Sequence, residues 1–134
     1  MAKFHVRNEV VFRAPTRVGL LADVADSLVG HGVNMLAIRG YEEGDTGVML
    51  IYPDDSRMAE EGLAGVEGTV TVLPVIVAEV ANRPGQLAEI ARTLSNANID
   101  IVQMHATVAP GCEHAMIILQ TSDDVAAIDA LQKM

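Results

Sequence analysis

Apolar residues follow two rhythms along the chain. Short runs at 9–13 and 75–80, rich in valine, predict strands. Each leads through a glycine-containing turn into apolar positions at the spacing of one helical face. In the first stretch these are Leu20, Leu21, Val24, Ala25 and Leu28, and in the second Leu87, Ile90, Ala91 and Leu94. Gly30 and Gly32, or Asn96 and Asn98, mark where those helices stop. Two strands follow each helix, at 33–39 with 48–52 and at 99–108 with 114–120. The first pair is joined by Glu43-Gly44-Asp45-Thr46-Gly47 and the second by a two-residue Pro110-Gly111 turn, so both read as hairpins. A further helix is expected after each hairpin. Ser122, Asp123 and Asp124 cap 125–133, which presents Val125, Ile128 and Leu131, and a weaker pattern covers 56–63.

These similar halves are an internal repeat. Arg17, Gly19, Leu21, Ala22, Ala25 and Leu28 recur as Arg83, Gly85, Leu87, Ala88, Ala91 and Leu94, at a constant offset of 85 − 19 = 66. Val33 with Ile99 and Asn34 with Asp100 keep that offset. Met49, Leu50 and Ile51 align with Met116, Ile117 and Ile118 at 67, so one residue is gained in the second hairpin. The first copy closes with an alternating strand at 69–73, whereas the second stops at Met134 without one. Residues 3–7 stand 66 positions before 69–73, so Phe4 and Val6 are expected to supply the missing strand. The expected units are 8–73 and 74–134, the second completed by 2–7.

A strand, then Asn82-Arg83-Pro84-Gly85-Gln86-Leu87, a helix, and Asn98-Ile99-Asp100-Ile101 resembles the signature of ACT domains, amino-acid-sensing regulatory modules of metabolic enzymes. In the first copy Thr16-Arg17-Val18-Gly19 replaces Asn-x-Pro-Gly, and Gly32-Val33-Asn34-Met35 keeps the following strand start. The resemblance implies an α+β fold: two ferredoxin-like βαββαβ units side by side in one eight-stranded antiparallel sheet, with helices on one face. It also implies an amino-acid site where the strand-to-helix loop of one unit faces the other. Asn82, Arg83, Pro84, Gly85, Gln86 and Leu87 would hold one ligand with Asn34. A weaker mirror site would use Thr16, Gly19, Leu20 and Leu21 with Asp100.

Physical chemistry supports a carboxylate at such a loop independently. The first turn of a helix has unpaired N–H groups and partial positive charge. Gly85 leaves room for close approach, Pro84 stiffens the backbone, and an asparagine oxygen accepts from an ammonium group. The same residues also make an ordinary helix start, and Asn34 and Asp100 suit a loop-to-strand junction equally well.

Composition narrows the function classes. The chain has 134 residues, half of them hydrophobic, a net charge of minus 9 and 3% aromatic residues, which disfavours nucleic acid. One cysteine, Cys112, leaves no internal disulfide framework and fits a reducing, cytoplasmic compartment. No apolar stretch approaches the roughly 20 residues of a membrane span. Cys112, His114 and His105 invite a metal reading, since a two-residue turn would make the histidines diagonal neighbours; solvated surface is the more economical account. The methionines, among them Met35, Met49, Met104 and Met116, lie in apolar strands and suit a core.

No paired nucleophile and base, phosphate-cradling loop or acid pair can be assembled. The expectation is a regulatory module that binds an amino acid or similar small carboxylate, with no catalytic residue, cofactor or metal. The alternative is a structural subunit of a metabolic enzyme assembly with vestigial ligand sites. Residues 48–52 and 115–119 are apolar on both faces, so a covering partner, a second copy forming a homodimer or an enzyme, is expected as well.

Overall fold

The computed structural model describes residues 2–134. Along them run β1 (Lys3–Pro15), α1 (Leu20–Gly30), β2 (Met35–Glu43), β3 (Thr46–Pro53), α2 (Ser56–Leu63), β4 (Thr69–Ala81), α3 (Gln86–Asn96), β5 (Ile101–Thr107), β6 (His114–Thr121) and α4 (Asp124–Gln132). The fold is α+β, with an antiparallel sheet in the order β2-β3-β1-β4-β6-β5. The sheet has six strands where the sequence suggests eight. Residues 3–7 and 9–13 form one uninterrupted strand, β1, and 69–73 and 75–80 another, β4, each of 13 residues. No glycine or proline interrupts β1 before its last residue, and Pro74 in β4 removes a donor while keeping φ extended.

The chain divides into two compact units. The first is Asn8–Leu73, and the second joins Pro74–Met134 with the N-terminal residues up to Arg7. In the first unit the β1–β3 register sets Val10 opposite Ile51 and Phe12 opposite Met49, which puts all four on one sheet face. Helix α1 closes that face with Leu20, Val24 and Leu28, four residues apart and therefore stacked on one side of the helix. Helix α2 adds Ala59 and Leu63. It approaches α1 closely: a β-carbon on Gly62 would lie 3.1 Å from the Ser27 carbonyl and 3.2 Å from His31 Nδ1.

The second unit repeats this plan. Ile76 opposes Leu119 and Ala78 opposes Ile117, under Ile90 and Leu94 of α3 and Ala127 and Leu131 of α4. Ala2 and Phe4 pack against the same core. Both α1 and α3 end in the same hydrogen-bonded pattern. Val33 N–H donates to the Leu28 carbonyl and Ile99 N–H to that of Leu94, each at 2.9 Å, around a left-handed residue, Gly32 (φ +70) or Asn98 (φ +58).

Several expectations need correction. The N-cap of α4 is Asp123, whose carboxylate accepts from Ala126 N–H at 3.1 Å; Ser122 Oγ instead accepts from Asp100 N–H. Leu21 and Leu87, expected in the core, are 56% and 44% exposed, because they sit one residue off the buried stripe. The apolar residues on the other sheet face are covered within the single chain: Val11, Val48 and Leu50, and likewise Val75, Val77 and Ile118, are buried.

The hairpins differ. Between β2 and β3, Gly44 (φ +59) and Asp45 form a two-residue loop in the glycine-first pattern suited to hairpins, and pairing continues to Glu43 opposite Thr46. Between β5 and β6 the pairing stops at Thr107 opposite Met116, and six residues, 108–113, separate the ends of the two strands. Ala109 to Cys112 close a turn in which Cys112 N–H donates to the Ala109 carbonyl at 3.0 Å, with Pro110 second and Gly111 (φ +81) third. That is type II geometry, whose twist does not match a two-residue hairpin. His105 consequently faces Ile118 across the ladder, not His114, which pairs with Ala81.

Candidate functional site

Both strand-to-helix loops are built alike. Thr16 N–H donates to the Asp45 carbonyl at 2.9 Å, and Asn82 N–H to that of Glu113 at 2.8 Å, which ties each loop to the hairpin of its own unit. Each chain then turns through a left-handed glycine, Gly19 (φ +89) or Gly85 (φ +95), a backbone that side-chain-bearing residues disfavour. The glycine is the helix N-cap and no side chain caps it; at α1 the Leu20 N–H leans back to the Arg17 carbonyl at 3.4 Å, and each helix start keeps the partial positive charge of a first turn without a side-chain cap. A β-carbon on Gly85 would meet nothing within 4 Å, so backbone conformation and not crowding selects the glycine.

Charged groups frame these loops. Arg17 donates to Asp23 at 2.5 Å, and Arg83 stands 3.8 Å from Glu89, so each arginine is held to an acid in the first helical turn. Asn82 has a structural task that the sequence did not reveal. Its Nδ2 donates to the Cys112 carbonyl at 2.8 Å, pinning the 108–113 loop and leaving Oδ1 as the acceptor. Pro84, Gly85, Gln86 and Leu87 follow it in the same loop and first turn.

Beside each loop lies a cavity, and the two are unequal. In the first unit it measures about 490 Å³, between Thr16, Arg17, Gly19, Leu20, Leu21 and Ala22 on one side and the β2–β3 hairpin on the other. Ile38, Gly40, Tyr41, Glu42, Gly47, Val48 and Met49 supply that second wall. Gly47 sets its closeness, since a β-carbon there would lie 3.0 Å from Leu20 Cδ2. In the second unit the corresponding cavity measures about 210 Å³, lined by Asn82, Arg83, Gln86 and Leu87 and by small residues such as Ala81, Ala106 and Ala115. The half-exposed Leu21 and Leu87 each line the cavity of their own unit.

The loops are legible in the sequence, whereas the opposite wall, Gly40, Tyr41 and Glu42, is not. The repeat carries a signal for it: at the offset of 66 these residues align with Ala106, Thr107 and Val108, a run in which the copies diverge in size and charge. Asn34 and Asp100 stand at the starts of β2 and β5, beyond the C-terminal ends of α1 and α3. Neither lines the cavity of its own unit. Asn34 N–H donates to Asp54 Oδ1 and Asp100 N–H to Ser122 Oγ, each at 3.0 Å, so both residues fasten a strand start to the segment before the second helix. Asn34 belongs to the first unit and Asn82 to the second.

The carboxyl group of Glu9 is strongly perturbed. Glu9, at the start of the apolar run in β1, is fully buried, and burial raises its carboxyl pKa to about 7 against the opposing pull of Arg39. It does not line the cavity. Cys112 is exposed, and among the described residues no group of three or more His, Cys, Asp or Glu side chains is arranged to hold a metal. No helix among them is long and apolar enough to cross a membrane.

Neither a known sequence family nor a curated protein sequence matches the chain. Solved structures do. Protein BT0572 from Bacteroides thetaiotaomicron superposes with a TM-score of 0.88 at 22% identity, over 97% of this chain and 89% of that one. The ligand-free regulatory subunit of aspartate kinase from Thermus thermophilus gives a TM-score of 0.68 at 16% identity, over 97% and 95%. That from Thermus flavus gives 0.63 at 15%, over 98% and 95%. The chain thus has an ACT-like α+β fold, the fold of aspartate kinase regulatory subunits.

Proposed function

We propose that this chain is a cytoplasmic, non-catalytic regulatory module that binds a small molecule, an amino acid, beside its strand-to-helix loops. The observation that carries the reading is the cavity of about 490 Å³ in the first unit, where an arginine and the start of α1, without a side-chain cap, meet an apolar wall. Its volume is within the range of small-molecule sites, and a few polar groups on a mostly apolar lining is how such sites combine orientation with affinity. The carboxylate end of the ligand belongs at Arg17 and the start of α1. The fold supports the regulatory half of the reading, because solved structures that share it include regulatory subunits of aspartate kinase. A metabolic enzyme is the natural recipient of the signal.

Loops with the same backbone flank both cavities, so both units can take part, the second with Asn82, Arg83, Gly85, Gln86 and Leu87. Thermal unfolding against the twenty amino acids tests the proposal. A ligand at about 100 times its Kd stabilises the folded state by roughly 2.7 kcal/mol, a shift that is easily seen. A rise with one amino acid or a chemically related few, lost in Arg17→Ala, is the expected result. No rise with any of them would point instead to a structural subunit with vestigial sites.

A further inference from the structure

Each cavity lies beside a strand-to-helix loop of the same build, but the walls that face the loops differ, and that difference identifies a ligand class. Glu42 lines the larger cavity from β2; at the repeat offset of 66 its place in the second unit is taken by Val108, which lines the smaller one. Tyr41 is likewise replaced by Thr107. The first-unit cavity therefore has a cation, Arg17, on its loop side and an anion, Glu42, on its strand side, whereas the second has Arg83 without a facing acid among its lining residues. Asp23 engages Arg17 through one terminal nitrogen, and a guanidinium carries five N–H donors, so donors remain for a ligand carboxylate.

The walls between these charges are apolar. Leu21 and Ile38, both lining the cavity, are 56% and 41% exposed, so a ligand that covers them removes apolar surface from water. Leu20 and Met49 continue the same surface. A ligand with a second carboxylate would meet Glu42 and the field of a chain carrying a net charge of minus 9. A ligand with a second ammonium would bury that charge against leucine and isoleucine.

Resting on the reading that the loop cavity binds an amino acid, we infer that Glu42 determines specificity. It receives the α-ammonium of a neutral amino acid with a large aliphatic or aromatic side chain, and the second-unit cavity lacks this recognition. Isothermal titration of the full chain with L-leucine, L-phenylalanine, L-aspartate, L-lysine and N-acetyl-L-leucine tests this, in the wild type, Glu42→Gln and Val108→Glu. Leucine or phenylalanine should bind at one site per chain, and N-acetyl-leucine, which has no ammonium, about tenfold or more weaker. Glu42→Gln should weaken the free amino acid by a similar factor and remove its advantage over the acetylated form, with the unfolding midpoint unchanged. Val108→Glu should add a second, weaker site. An unaltered Kd in Glu42→Gln, a preference for aspartate or lysine, or two equal sites in the wild type would overturn the assignment while leaving amino-acid binding intact. Absence of wild-type binding to every amino acid would overturn the underlying reading and this inference with it.

Discussion

The β2–β3 hairpin and the β5–β6 hairpin occupy the same place in their respective units, yet they build different walls. In the first, a two-residue loop keeps β2 and β3 paired to the tip, so Gly40, Tyr41 and Glu42 extend alongside the strand-to-helix loop and frame a cavity of about 490 Å³. In the second, pairing ends at Thr107, the chain leaves through a type II turn held by Asn82, and about 210 Å³ remains. The better sequence motif, Asn82-Arg83-Pro84-Gly85, thus stands beside the smaller cavity. A loop motif records how a helix begins; the space beside it is set by the register and length of a different pair of strands.

The comparison can be broken first at the cores, where the units should behave alike. Leu28 and Leu94 are fully buried on α1 and α3 at equivalent positions, and alanine at either should cost about 2–5 kcal/mol by urea unfolding. A cost in one and not in the other would mean that the shared plan hides unequal packing.

A contrast of charge should give the next largest effect. Glu9 aligns with Val75 at the offset of 66, and both are buried, so one unit carries an acid where the other carries a valine. The folded-state pKa of Glu9 is raised to about 7 from an ordinary value of 4.5, so between those values the folded state binds more protons than the unfolded. The stabilising contribution is complete below pH 4.5 and is lost as pH rises through about 7. Stability should fall over that window by up to a few kcal/mol. Glu9→Gln should flatten the profile and raise the unfolding midpoint at pH 8, and an unchanged profile in that variant would remove Glu9 as its source.

The helix ends should give the smallest effect. Gly32 and Asn98 occupy the same left-handed position, where a side chain is disfavoured and asparagine is better tolerated than most. Gly32→Ala should cost about 1 kcal/mol, whereas Asn98→Gly should stabilise by a few tenths. Thermal midpoints moving in opposite directions would check both.

Much of the fold is legible in the chain because it follows from local rules. The spacing of Leu20, Val24 and Leu28 gives the buried face of α1, the run Glu43-Gly44-Asp45-Thr46-Gly47 gives a hairpin, and Gly32 and Asn98 give the helix ends. What misleads is context. Nothing punctuates 3–15, so two expected strands are one, and Pro110-Gly111 reads as a hairpin turn until its geometry is seen to be type II. At the candidate site the loop residues are legible from glycine and helix chemistry. Glu42 is not, because its place in the wall depends on cross-strand register, which sets it opposite Gly47, and on the closeness of Gly47 to Leu20. Glu9 escapes for a related reason: a carboxylate at the edge of an apolar run looks like a strand boundary until the strand continues past it.

The central claim is that the first-unit cavity binds an amino acid. Backbone amide NMR of the full chain titrated with L-leucine and L-phenylalanine tests it most directly, because it reports where a ligand sits as well as whether it binds. Saturable shifts concentrated at Gly19 to Ala22 and Gly40 to Glu42, larger than any at Asn82 to Leu87, are the expected result. Shifts confined to the second-unit loop, or none with these or any other amino acid, would contradict it.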